Sequence, residues 1–544
     1  MFRRKFKSIV SKANTRLTVQ FAAVILASST LLSSLLGFLR DRLLNSYYLD
    51  SYPTGIDAYT VAFTIPDFMF FILVSGALSV TFIPVFNQRM AKNNKKSAWE
   101  LSTSVLNLLA LVTLITSVLI IIFAEPLVQY VVGPGLNEAS RALAVSMMRV
   151  IAINPFLFAI TTVITSIQQA IGRFTFSALA PAIYNIGIII GTVFFTDGIT
   201  IFGVEIFEGG IMGVALGVAF GSVLQLLIAV AGLIGVGLDY RFKIYWKNKG
   251  FLQVMKLLPT RSMDQGIDYV NSIVETNMAS RMGAGAVRAY QQSLTLHNMP
   301  VNLIGVAIST AFFPNLTERL ATGRTDLFRK DLQKALRTIL FLTLPVVVMF
   351  FFFRGYVVSF IKNGGDGLIS GLLGVLVISI FCRSIYHIAA RSFYAMEDTK
   401  TPLRVSLLAI GLNILLAIVF SLAFKWGPYG LAWAQVIGAV VEIVVLLKLM
   451  SSRIPGVFDL KFVAGVGRMF VASAITGITC YVLVSAMPLL NSDERFFSIF
   501  PKFCLMSMIA TGVYIGVSKL FKLPEVDPIL HQINKILFKQ YESR

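Results

Sequence analysis

Apolar residues in this chain neither alternate nor recur on one helical face. They run on for twenty positions or more and are then broken by short polar, basic segments. Runs of that length match the about 20 residues that carry a helix across roughly 30 Å of hydrocarbon. Backbone groups in lipid must find partners within their own segment, so helices are the reading such runs allow. The pattern predicts about fourteen spans, at residues 17–40, 57–87, 98–124, 139–171, 177–195, 209–237, 251–281, 287–316, 335–360, 367–395, 402–424, 428–450, 462–487 and 498–520. The expected fold is an all-α polytopic membrane protein.

Several spans carry residues that usually interrupt helices, and these interruptions recur. The stretch "AYTVAFTIPDFMFFILVSGALSVTFIPVF" is similar to "AYQQSLTLHNMPVNLIGVAISTAFFPNL", so that Pro66, Gly76 and Pro84 stand against Pro300, Gly305 and Pro314. "GGIMGVALGVAFGSVLQLLIAV" is similar to "WGPYGLAWAQVIGAVVEIVVLL", which sets Gln225 against Glu442, and Asn185 pairs with Asn413. The repeat divides the chain into an N-terminal lobe (1–240, six helices), a C-terminal lobe (241–452, six helices), two extra helices (453–521) and a tail (522–544). Six is even, so both lobes enter the membrane in the same sense. A pseudo-two-fold along the membrane normal and a cavity between the lobes are expected, as in parallel-repeat transporters. The recurring Pro and Gly are expected to bend helices where neighbours or cavity water satisfy the freed backbone groups.

Composition agrees with this picture: 56% of the 544 residues are hydrophobic and 14% charged, with a mean hydropathy of +0.77. The net charge of +20 would suit a nucleic-acid binder, but Lys and Arg gather in alternate loops such as "QRMAKNNKK", "DYRFKIYWKNKG" and "DTKTPLR". That bias marks cytoplasmic loops and places both termini in the cytoplasm. Cys382, Cys480 and Cys504 lie inside apolar runs without paired spacing, which supports neither a disulfide frame nor a metal site. No phosphate-binding loop, zinc-protease or nucleophile-elbow motif is present, so an enzyme or ATP-driven pump is not indicated. Transport would draw on an ion gradient, the membrane potential or the substrate's own gradient. The tail places Ile529, Leu530, Ile533, Ile536 and Leu537 at helical spacing, as in a helix lying on the membrane face.

A charge at the bilayer centre costs about 2.5 to 3.5 kcal/mol, so ionisable residues in spans mark pathways. They concentrate at the start of each lobe: Arg40, Asp41, Asp57 and Asp67 in the first, and Arg261, Asp264, Asp268, Glu275, Arg281, Arg288 and His297 in the second. Arg40, Asp41, Asp57, Asp67, Arg261, Arg281 and Arg288 are the candidate cavity residues. Arg149, Arg354, Arg383, His387, Arg391 and Arg468 read as single charges that reach an interface or a neighbouring helix.

The run "LLGFLRDRLLNSYYLDSYPTGIDAYTVAFTIPDFMFFILVSGALSVTFIPVF" resembles the N-terminal motif of the MurJ (MviN) family. There a G-F-x-R-D is followed by D-A-F, I-P-N, E-G-A and A-F-I-P-V-F. The matching residues are Gly37, Phe38, Arg40, Asp41, Asp57, Ala58, Pro66, Gly76, Ala77, Phe82, Pro84 and Phe86. "QQAIGRFTFSALAPAIYN", "GGIMGVALG", "GVAISTAFFPNL" and "FYAMEDTKTP" extend the resemblance along nearly the whole chain. It implies a lipid II flippase of the multidrug/oligosaccharidyl-lipid/polysaccharide exporter superfamily. Such a protein works in the bacterial cytoplasmic membrane by alternating access and serves peptidoglycan and cell-wall synthesis. It further implies a groove for the lipid tail at the last two helices, and lipid-linked precursor, membrane lipids and envelope-synthesis proteins as partners. A substrate diphosphate accounts for cavity arginines, whose planar forks suit phosphate.

The family pattern is not complete. Ser34, Phe70, Phe71 and Thr295 stand where it has arginines, Asp67 replaces the Asn of I-P-N, and Ser75 and Asn298 replace glutamates. Arg40 alone holds its motif position, and Arg261, Arg281 or Arg288 is expected to supply the missing donors. Glu275 and Asn413 match a sodium site of some members, with Ala417 in place of its further acid. An exporter of another polyprenyl-linked glycan or of drug-like cations on the same scaffold stays open, as does a membrane scaffold for envelope synthesis.

Overall fold

The computed structural model describes residues 19–75, 81–201, 204–490, 493, 496–528 and 530–531; among these, the side chains of 19–23, 75, 199–201, 204–206, 257–268 and 422 are outside the description. Gly76 and most of the amphipathic tail, including Ile529 and residues 532–544, lie outside the described residues. By internal contacts the chain forms two compact units, Met1–Arg288 and Ala289–Arg544.

The first unit holds α1 (Val19–Tyr48), α2 (Pro53–Phe70), α3 (Ile83–Ala91), α4 (Lys95–Pro126), α5 (Glu138–Ile151), α6 (Asn154–Ala170), α7 (Thr175–Ile190), α8 (Met212–Ala231) and α9 (Lys249–Ala279). α10 (Ala286–Pro300) begins at its end. The second holds α11 (Ala307–Ala321), α12 (Thr325–Phe352), α13 (Arg354–Ile361), α14 (Gly367–Ala395), α15 (Lys400–Ile418), α16 (Pro428–Arg453), α17 (Leu460–Ala486) and α18 (Phe496–Leu520). Among the described residues, thirteen helical stretches are long and apolar enough to cross a membrane. α9 is not one of them; it is the helix that carries Lys256, Arg261, Asp264, Asp268 and Glu275.

Between α7 and α8 a small antiparallel hairpin, β1 (Ile199–Ile201) and β2 (Val204–Phe207), departs from the all-helical pattern. Its β-branched Ile199, Thr200, Ile201, Val204 and Ile206 prefer extended backbone where the chain leaves the span.

In the first unit α1 packs on α7, α2 on α5, and α4 on α6. Val74, Phe82, Phe86, Leu101, Val105, Val163 and Phe251 form a closed apolar core. α7 and α8 approach much more closely. A Cβ on Gly187 would lie 2.1 Å from the Gly221 Cα, and one on Gly191 2.4 Å from the Gly217 Cα. Glycine is required there because lipid is as apolar as leucine, so helices in a membrane associate through close backbone contact.

In the second unit α14 packs against α16 and α12, and α12 against α17. Phe328, Leu332, Leu336, Ile339, Ile388, Phe393, Leu446 and Met469 fill the centre.

Helix irregularities recur within each unit. π-helical turns follow α2 (Phe71–Ser75) and α10 (Val301–Val306), and again α7 (Gly191–Phe195) and α15 (Val419–Ala423). Pro66 sits inside α2, five residues before its turn, and Pro300 directly precedes the turn that contains Gly305. At Pro300 the carbonyl of residue 296 loses its donor, and the widened turn that follows directly can absorb the misfit. Pro314 is interior to α11, whereas Pro84 opens α3, where its missing N–H costs nothing.

Candidate functional site

The C-terminal half of α1 presents Ser33, Arg40, Asp41 and Asn45 towards α7 and the start of α10. The Arg40 Nη1 donates to Asn185 Oδ1 at 3.1 Å, and its Nη2 donates to Asp41 Oδ1 at 3.1 Å. Asn185 fixes the other end of this link, donating through Nδ2 to the Ser33 carbonyl at 3.2 Å and the Pro181 carbonyl at 3.2 Å. Asp41 Oδ1 also accepts from Arg288 Nη2 at 3.2 Å, and Arg288 Nε donates to Asn45 Oδ1 at 2.8 Å. The Arg288 side chain is 6% exposed and that of Arg40 is 27% exposed. Arg288 is therefore a buried cation that needs its partners, while Arg40 keeps an open edge.

Asp57, on the second turn of α2, is 2% exposed. Its carboxylate accepts from the Gly285 N–H at 2.6 Å and the Arg288 N–H at 2.8 Å. No acid lies in the first turn of α10 itself. Asp57 thus caps α10 from another helix, satisfying N–H groups that have no intrahelical partner and opposing the positive end of the helix dipole.

Asp67 is half-buried and lies within electrostatic reach of Arg40. Beyond it, Phe71 stacks on Tyr269 with ring centres 4.3 Å apart, and Phe70 meets Phe158 edge-on at 5.4 Å. Where the family pattern has paired arginines, this chain has an aromatic wall.

The other candidates are dispersed. Arg281 is exposed and donates to Asn277 Oδ1 at 3.3 Å, apart from the Arg40 cluster. Arg261 lies on α9 with its side chain outside the description. Glu275 accepts from Asn271 Nδ2 at 3.0 Å in the first unit, and Asn413 donates to Gln435 Oε1 at 3.0 Å in the second.

Sequence reasoning did not single out Asn45 and gave Asn185 only a repeat partner. Asn45 follows Asp41 by one helical turn, and that spacing is the signal. In the second unit, Arg383 Nη1 donates to Glu442 Oε2 at 3.2 Å and Ser406 Oγ donates to Glu442 Oε1 at 2.7 Å. Tyr386 Oη lies 2.9 Å from Ser406 Oγ. A groove of about 710 Å³ runs along Leu340, Phe381, Ile443 and Leu447 to Phe462 and Val466 of α17.

Residues 51–502 match the family described as lipid II flippase MurJ. A relative from Thermotoga maritima named "Probable lipid II flippase MurJ" is 25% identical over 518 residues, covering 92% of this chain and 97% of its own. One from Thermosipho africanus, named "Lipid II flippase MurJ", is 27% identical over 437 residues, covering 79% of this chain and 86% of its own. Among solved structures, a lipid II flippase MurJ in an inward closed conformation superposes with a TM-score of 0.73 at 24% identity, over 92% of this chain and 98% of that one. An inward-facing multidrug resistance MATE family transporter of the MOP superfamily gives 0.66 at 15% identity, over 80% and 98%. These likenesses establish the fold, and the match over 51–502 establishes more: the chain belongs to the lipid II flippase MurJ family.

Proposed function

We propose that this protein carries lipid II, the undecaprenyl-linked peptidoglycan precursor, from the inner to the outer leaflet of the bacterial cytoplasmic membrane by alternating access, with both termini in the cytoplasm. The observation that carries the reading is the family match across residues 51–502. The geometry of the first unit fits it. Arg40 is steered by Asp41 and Asn185 but keeps an open edge inside a span, so its guanidinium can turn donors towards a diphosphate. The task this arrangement suits is to bind, shield and release an anion.

Asp57 and Asp41 then act on the protein rather than on the substrate. They fix the start of α10 against α1 and α2. The membrane potential, acting on the bound anion, is the proposed drive.

The test is replacement of the resident lipid II flippase in a depleted bacterial strain. Restored growth, with lipid II reaching the outer leaflet, supports the reading. A well-expressed, correctly inserted protein that restores neither would overturn it.

A further inference from the structure

Arg383, His387 and Arg391 stand four residues apart on α14. They therefore fall on one stripe at successive turns, about 6 Å of rise apart. Both guanidinium groups lie within electrostatic reach of the His387 ring. All three side chains are half-buried, while Cys382, Ile385, Ile388, Ala389 and Phe393 form the packed side of the helix.

The charges on the stripe are unevenly matched. Arg383 is held by Glu442. Arg391 Nη1 donates to the Val306 carbonyl at 3.3 Å and to Thr310 Oγ1 at 2.5 Å, both neutral acceptors, and no carboxylate partners it among the described residues. Beside it Thr310 on α11 is exposed, and exposed Asn302, Asn298, Thr295 and Gln291 lead away from it at helical spacing through the π turn and α10, with exposed Met299 and Leu303 next to them. A cation held only by neutral acceptors suits water rather than acyl chains, which places Arg391 against an aqueous surface.

We propose that Arg391, His387 and Arg383 form a ladder that takes the diphosphate of a polyprenyl-linked substrate, first at Arg391 and then, two turns deeper, at Arg383. The proposal rests on the flippase reading above. α14 ends at Ala395 and leads into the "DTKTPLR" loop, whose Lys400 and Arg404 mark the cytoplasmic side. Arg391 lies about 6 Å of helix from that end and Arg383 about 18 Å.

The first rung offers a guanidinium with only neutral partners to give up, and His387 adds a ring nitrogen. At Arg383 the phosphate competes with Glu442. Glu442, 3% exposed, keeps the Ser406 hydroxyl at 2.7 Å and stays on part of the Arg383 fork while the phosphate takes the remaining donors. The ladder also answers a gap in the family pattern, since Phe70, Phe71 and Thr295 supply no cation. Its sequence signal is the i, i+4, i+8 spacing, which is lost when each charge is read singly.

The test uses the full chain in nanodiscs and undecaprenyl diphosphate, which has no glycan, as the probe. The double substitution Arg391→Gln with His387→Gln weakens binding at least about tenfold, as expected for loss of charge-assisted hydrogen bonds. Arg391→Lys in place of Arg391→Gln recovers part of the loss, and Arg468→Gln, on α17 away from the stripe, leaves binding unchanged. Equal binding by the folded double variant, or no binding by the wild type, overturns the ladder. Flipping of lipid II by the wild type in proteoliposomes is read separately. Flipping without ladder-dependent binding removes the ladder alone, whereas ladder-dependent binding without flipping keeps the diphosphate site and removes the lipid II reading.

Discussion

Replacing Asp57 by asparagine tests the cap on α10 directly. The wild-type carboxylate accepts the Gly285 N–H at 2.6 Å and the Arg288 N–H at 2.8 Å in a site that is 2% exposed. Asparagine keeps one oxygen acceptor but sets its amide NH₂ against the second N–H and removes the negative charge. One charge-assisted hydrogen bond contributes about 1.5 to 3 kcal/mol. A charge at a partly buried helix N-terminus adds up to about 2 kcal/mol. Allowing for overlap between the two, opening of the first turn of α10 becomes easier by about 2 to 4 kcal/mol, or roughly 30- to 900-fold. Hydrogen–deuterium exchange on the full chain reads this where exchange follows the opening equilibrium. Peptides covering residues 283–290 should exchange at least about 30-fold faster in Asp57→Asn, while the start of α4, capped by its own Asn94, should not change. Unchanged exchange at 283–290 in a folded variant would refute the capping argument.

Three further outcomes are expected. Gly187→Val pushes a side chain into the Gly221 backbone, where even a Cβ would lie at 2.1 Å, so α7 and α8 separate and the monodisperse peak in size-exclusion chromatography is lost; retention of that peak with wild-type melting would contradict the packing. Glu525→Ala strands Arg337, which now donates to both carboxylate oxygens in a site where the side chains are 18% and 11% exposed, and costs about 1 to 3 kcal/mol, read as a lower melting temperature and faster proteolysis after α18. Asp398 is held below the usual carboxylate range by the Thr401 hydroxyl and backbone N–H, so its contribution is complete above about pH 4 and is lost as pH falls through the lowered value; melting curves of wild type and Asp398→Asn should differ at neutral pH and converge in strong acid.

What was legible in the sequence follows from which interactions are local. Membrane spans are continuous apolar runs, so their positions are written directly in the chain, and the repeat is written in matched segments such as those of Asn185 and Asn413, each followed six residues on by a π turn. The run 251–281 reads as a span in the sequence, but Arg261, Asp264, Asp268 and Glu275 interrupt it, and α9 is not among the thirteen apolar helical stretches of the described residues. The short hairpin at Ile199–Phe207 was too brief to stand out beside the spans that flank it.

The candidate site was legible as a list and not as a geometry. Arg40, Asp41, Asp57 and Arg288 were all named, yet their roles depend on contacts between distant parts of the chain. Asp57 is 231 residues from the N–H it caps on Arg288. Arg281, of the same residue type, has no part in the cluster. Asn45 and Asn185 carry no charge, so Asn45 does not stand out in the sequence and Asn185 does so only through its match with Asn413, although each orients an arginine. Arg383 looked like a lone charge because Glu442 is contributed by another helix.

The most direct measurement of the central claim is the exposure of lipid II at the outer surface of cells whose only flippase is this protein. An externally added enzyme that cleaves the lipid II diphosphate link provides the readout. The account predicts cleavage that depends on this protein and falls sharply in Arg40→Ala, despite normal expression. Lipid II that stays protected in cells carrying the folded wild-type protein would contradict it.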